Sequence, residues 1–147
     1  MSKNPALFSE LIAGLRNEDL LVRMRAADAA EKISRTTPAL LQLHKDELLA
    51  LMGETRQQEL QWHLAAMVPR LSLSAAERQS AAFLLNRYLE APSSIVKTSA
   101  LQGLADLVHN DPAIRETAIT ALRNAMQNGT PAMKARSRKL LHHLERI

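Results

Sequence analysis

The sequence predicts an all-α protein, a solenoid of about four antiparallel helix hairpins, and three observations carry that expectation. Proline and short polar residues punctuate the 147 residues at intervals of one helix and leave no stretch for a strand. Between these marks apolar residues recur at helical spacing, as in Phe8, Leu11, Ile12 and Leu15, or Val96, Ala100, Leu104 and Leu107. The whole pattern then repeats about every 37 residues.

The elements follow in order from their start and stop chemistry. A proline at the first helical position gives up no needed N–H and brings a preset φ, and a short polar residue before it caps the open N–H groups. Asn4-Pro5, Thr37-Pro38, Asp111-Pro112 and Thr130-Pro131 each supply that pair, and Pro92 starts a helix after Ala91. Ser74 with Glu77 reads as a capping box, and Asp19 caps the segment from Leu20. Pro69 ends a helix, because inside one it removes a hydrogen bond and clashes with the preceding turn. Gly53 and Gly129 stand where helix C-termini favour a left-handed residue. The expected helices are roughly 5–16, 20–34, 38–52, 56–68, 74–90, 92–108, 112–127 and 131–146. Short connections make successive helices antiparallel hairpins.

Aligning the second helix of each hairpin exposes the repeat: "VRMRAADAAEKI" from Val22, "LQWHLAAMVPRL" from Leu60, "VKTSALQGLADL" from Val96 and "MKARSRKLLHHL" from Met133. Three inward columns result. They hold Val22, Leu60, Val96 and Met133, then Ala30, Val68, Leu104 and Leu141, then Ile33, Leu71, Leu107 and Leu144. One helix pair cannot bury its stripe alone, so neighbouring pairs must stack. The expectation is a single domain over 1–147 with repeats at roughly 5–35, 38–71, 74–109 and 111–147.

The stretch "DLLVRMRAADAAEKI", with Asp19, Val22, Arg23, Ala26 and Ile33, resembles the loose signature of the HEAT and HEAT-like (armadillo-type) helical repeat family. "SSIVKTSALQGLADL" is similar, with Lys97 in the arginine position, and "DPAIRETAITALRNAM" carries the pattern on a first helix. The resemblance implies a right-handed α-α superhelix whose second helices line a concave, partner-binding face.

Composition narrows the function classes. A hydrophobic share of 46% suffices for a continuous core, while only 3% of residues are aromatic, so Leu, Ala, Ile, Val and Met must fill it. Cysteine is absent, which removes disulfides, thiolate chemistry and Cys-ligated zinc. The start "MSKNPALFSELIAG" does not read as a signal peptide, and no run approaches the roughly 18 apolar residues of a membrane span. A cytoplasmic protein without membrane contact is expected.

No catalytic constellation emerges, and an enzyme, a cofactor, a metal and a small-molecule substrate are all unexpected. His142 and His143 are adjacent, about 100° apart on a helix, whereas zinc-binding pairs sit one turn apart. His44, His63 and His109 fall on other segments, and Asp28 pairs more simply with Lys32 one turn on. The leading expectation is therefore a non-enzymatic module that binds a protein partner on the second-helix face. The outward columns nominate Met24, Arg25, Trp62, His63 and Thr98 as contacts, with Trp62 either the natural anchor or, should the helix be rotated slightly, partly buried packing.

The alternative is nucleic-acid binding through the last helix. From residue 129 onward five cations, Lys134, Arg136, Arg138, Lys139 and Arg146, face one acid, Glu145, and the rest of the chain is neutral. A terminal helix needs a polar wall, and this one still turns Met133, Leu140, Leu141, Leu144 and Ile147 inward. Polarity therefore requires no partner. The positive sign is the unexplained part, since cations in the first turns oppose the helix dipole.

Overall fold

The computed structural model describes residues 4–146, and the described residues form nine α-helices, one 3₁₀ turn and no strand. The chain divides into two compact units, Met1–Ser72 and Leu73–Ile147. The division falls where the second expected repeat gives way to the third. Among the described residues no helix is long and apolar enough to cross a membrane.

The N-terminal unit holds α1 (Pro5–Gly14), α2 (Leu20–Thr36), α3 (Ala39–Gln42), α4 (Lys45–Glu54) and α5 (Gln58–Met67), closed by the 3₁₀ turn Val68–Arg70. Asn4 caps α1 by accepting from the Ala6 and Leu7 amides, and Asp19 caps α2 by accepting from Leu21. Helix α2 packs between α1 and α5. Gly14 makes the first of these contacts close, since a Cβ there would stand 3.0 Å from the Ala26 Cβ. Phe8, Ile12, Leu15, Leu41, Leu48, Met52, Leu60, Leu64, Met67 and Val68 form the buried core.

Two expectations for the segment after α2 fail. The helix expected at 38–52 is broken at Leu43 and His44 into α3 and α4. The His44 ring is held elsewhere: it lies 6.0 Å from the Phe8 ring, centroid to centroid, with Nε2 3.2 Å from the Ser9 hydroxyl. Thr37 does not cap the following helix either: no side-chain cap bond forms at the start of α3, and the Thr37 amide donates to Ile33 O at the end of α2. Pro69 does end α5, inside the 3₁₀ turn.

The inward stripe of α2 is rotated from the expected one. Ala26, Ala27, Ala30, Glu31 and Ser34 are buried, while Ile33 is half-buried and Val22 is 40% exposed. Small side chains let α1 and α5 approach this edge closely, and the bulkier β-branched residues are left at its margin.

The C-terminal unit holds α6 (Ala75–Tyr88), α7 (Ser94–Asp106), α8 (Pro112–Asn128) and α9 (Pro131–Glu145). Ser74 and Glu77 form the expected capping box, Asp111 caps α8 and Thr130 caps α9. Pro92 does not start α7. The chain leaves α6 through turns at Leu89–Ala91, and the Ser93 hydroxyl, which Ala91 lacks, accepts from the Val96 amide to open the helix. Helix α9 packs against both α7 and α8, around Val96, Ala100, Leu101, Leu104, Leu107, Ala118, Leu122, Met133 and Leu144. Burial pushes the Tyr88 phenol well above its ordinary value. Leu140 and Leu141 are half-buried, and Ile147 lies outside the described residues.

Neither glycine expected to be left-handed is so. Gly53 is inside α4, and Gly129 has φ −83° and ψ 173°. Gly129 is required for space: a Cβ would lie 2.6 Å from Ala125 O and 2.9 Å from the Met133 Cβ. Among the described non-glycine residues the left-handed position goes to His109, φ 40°, in the turn between α7 and α8.

Candidate functional site

In the N-terminal unit the second helices α2 and α5 lie side by side and build a polar seam with an aromatic edge. Its buried carboxylate is Glu31, 5% exposed beside the fully buried Ser34. That burial has a definite cause. Pro69 turns the chain out of α5 so that Arg70 reaches back to α2, where Nη2 meets Glu31 Oε2 at 2.6 Å and Nη1 donates to Glu31 O and Ser34 Oγ. Arg35, one turn along α2, donates from Nε and Nη2 to the same carboxylate at 2.8 and 2.6 Å. Burial pushes the Glu31 carboxyl up, but the hydrogen bonds from Arg35 and Arg70 outweigh it and hold the group below its ordinary value.

His63 also departs from expectation. It is 8% exposed, at the margin of α5 that faces α2, and so offers no open contact surface. Nδ1 lies against the Glu59 carbonyl, which only accepts, so this nitrogen carries the proton. Nε2 points toward Asp28 Oδ1 at 3.5 Å. Asp28 accepts from Lys32 at 2.9 Å, and that hydrogen bond lowers its carboxyl below the ordinary value.

Trp62 is half-buried beside this histidine, the two ring centroids 5.5 Å apart and tilted by 42°. Met24 is half-buried and Arg25 exposed on α2. Thr98 belongs to the C-terminal unit, half-buried on α7, and its hydroxyl donates to Ser94 O at 2.8 Å. The expected contacts thus separate into a seam residue, His63, and residues that still meet solvent.

The five cations of α9 do not share one face. The buried edge of the helix carries Met133, Ser137 and Leu144. At about 100° per residue, Arg138, Lys139 and Arg146 fall on the side opposite, with His142 among them, while Lys134 and Arg136 sit on the two flanks. Lys134 is half-buried, and Arg136 Nη1 donates to Gln102 Oε1 on α7 at 2.9 Å. Arg138, Lys139 and Arg146 are exposed.

No family model, curated protein or solved structure matches the chain.

One surface feature was missed in the sequence. Phe83 on α6 is 64% exposed, at an open groove of about 340 Å³ between α6 and α8 lined also by Gln79, Asn86, Ile114 and Thr117. The signal was present: α6 buries Ala81, Ala82, Leu85 and Tyr88, and Phe83 lies opposite that stripe on a helical wheel.

Proposed function

We propose that the chain is a HEAT-like repeat protein of the cytoplasm that works without catalysis, as a module binding a protein partner. The observation that carries this reading is the setting of Trp62. It is half-buried at the edge of a seam whose other members are fixed, with His63 against Glu59 O and Glu31 gripped by two arginines. A large aromatic held by rigid neighbours loses little freedom on association, which is what makes tryptophan a frequent interface anchor. Met24 and Arg25 on α2 extend the contact surface, and Thr98 is a contact of the C-terminal unit. His63 acts from beneath, as the support on which Trp62 rests.

The test is affinity capture from the native cell with the wild-type chain and with Trp62→Ala, followed by direct titration of each recovered protein. A true partner is expected to bind the variant about 30-fold more weakly, the effect of an interface hot spot of about 2 kcal/mol. Recovery of the same proteins at the same affinity by both chains overturns the role of Trp62.

A further inference from the structure

The two units treat their charge differently, and the difference isolates one surface. Residues 1–72 contain nine basic and nine acidic side chains. Arg16, Lys32, Arg35 and Arg70 are each engaged by a carboxylate, and Arg23 donates to Gln57 and to backbone carbonyls. Residues 73–147 contain ten basic and six acidic side chains, and the excess gathers on α9.

Along α9 the nearest carboxylate, Glu145, is drawn toward α8, where its Oε2 lies 3.8 Å from Arg123. On the open side Arg138, Lys139 and Arg146 meet no carboxylate among the described residues. They span about 12 Å of helix, eight residues at 1.5 Å each. The apolar residues between them do not suit other partners. Pro131 and Ala135 are the small apolar side chains on that arc, while Leu140 and Leu141 are half-buried toward the core. A helix that lies in a membrane surface needs a broad apolar face to insert, and a stable protein interface needs an apolar centre. A face of cations alone matches a partner that presents a row of fixed negative charges, and the phosphates of a nucleic acid supply one.

We propose that the open face of α9 is a docking surface for the phosphate backbone of nucleic acid, contacted by Arg138, Lys139 and Arg146. Contact of this kind reads charge and not base sequence. Lys134 and Arg136, on the flanks, contribute to the surrounding field. This proposal and the Trp62 reading rest on different residues, and either can fail without the other.

The test is a salt titration of the full chain against a mixed-sequence DNA duplex. Three phosphate contacts give a slope of about −2.7 in log affinity against log salt, or roughly a 40-fold loss between 50 and 200 mM. The variant Arg138→Gln with Lys139→Gln and Arg146→Gln is expected to bind at least about tenfold more weakly at 50 mM salt and to lose that slope. A charge-matched control, Arg56→Gln with Arg87→Gln and Lys97→Gln, removes the same charge elsewhere and is expected to keep most of the affinity. Unchanged helical content and melting temperature in both variants establish that each is folded. The proposal is overturned by absence of binding at 50 mM salt, by equal losses in the two triple variants, or by equally tight binding to anionic phospholipid vesicles.

Discussion

The N-terminal unit spends its charge internally, and the C-terminal unit leaves it outside. In the first, Arg70 and Arg35 close on a buried carboxylate, Arg16 bridges Glu47 and Glu54, and Lys32 holds Asp28. In the second, α7, α8 and α9 meet mostly through aliphatic side chains, and Arg138, Lys139 and Arg146 stand clear of that packing. The two helical units therefore rest on different physics. The lesson is that a charged residue's position on a helical wheel does not say whether it builds the fold or decorates it. What decides is whether a neighbouring helix brings the opposite charge within reach.

The sharpest break in that comparison is removal of Arg70. Arg70→Ala leaves the Glu31 carboxylate buried with one partner instead of two, a loss expected to cost about 3 kcal/mol of stability in urea unfolding. The same lock carries a pH dependence. The folded Glu31 carboxyl titrates below its ordinary value, so its contribution is complete above the unfolded carboxylate range near pH 4.3 and declines as pH falls through the lower folded value. Wild-type stability is expected to drop below about pH 4.5, and Arg70→Ala to show a shallower drop over the same range. A variant with the wild-type pH slope rules the lock out as its source.

The counterpart in the C-terminal unit is steric. Gly129→Ala drives a methyl group into Ala125 O and the Met133 side chain and is expected to cost about 2 kcal/mol, read as a lower urea midpoint with an unchanged slope. A smaller effect of opposite sign is expected at Ser137, which is fully buried with no hydrogen-bond partner for Oγ. Ser137→Ala removes that unpaired hydroxyl and is expected to raise stability by about 1 kcal/mol. The smallest effect belongs to α9. Neutralising Arg138, Lys139 and Arg146 together is expected to leave the melting temperature unchanged, because none of them holds the fold. A fall comparable to that of Arg70→Ala erases the distinction between the units.

Local chemistry was legible in the sequence. The caps at Asn4, Asp19, Ser74 with Glu77, Asp111 and Thr130 depend on atoms within three residues of each helix start, and all form as expected. What misled was chemistry shared with a neighbour. Thr37 serves the helix before it, Gly129 answers to Met133, and His44 turns toward Phe8 and Ser9, each a demand set by tertiary contact. The candidate site divides in the same way. Trp62 is half-buried, a position its column left open between contact and packing, whereas His63 and Glu31 are drawn into the seam by residues on another element. The exposed Phe83 was readable from the stripe of its own helix.

The charge division gathers the positive excess of the molecule in one unit. With a neutral N-terminal unit and an excess of four positive charges in the C-terminal unit, the chain does not meet a charged surface at random. On a cation-exchange matrix it adsorbs through α9. A sensor surface of that kind captures the protein through one helix without a tag, and leaves its neutral N-terminal unit out of the attachment chemistry.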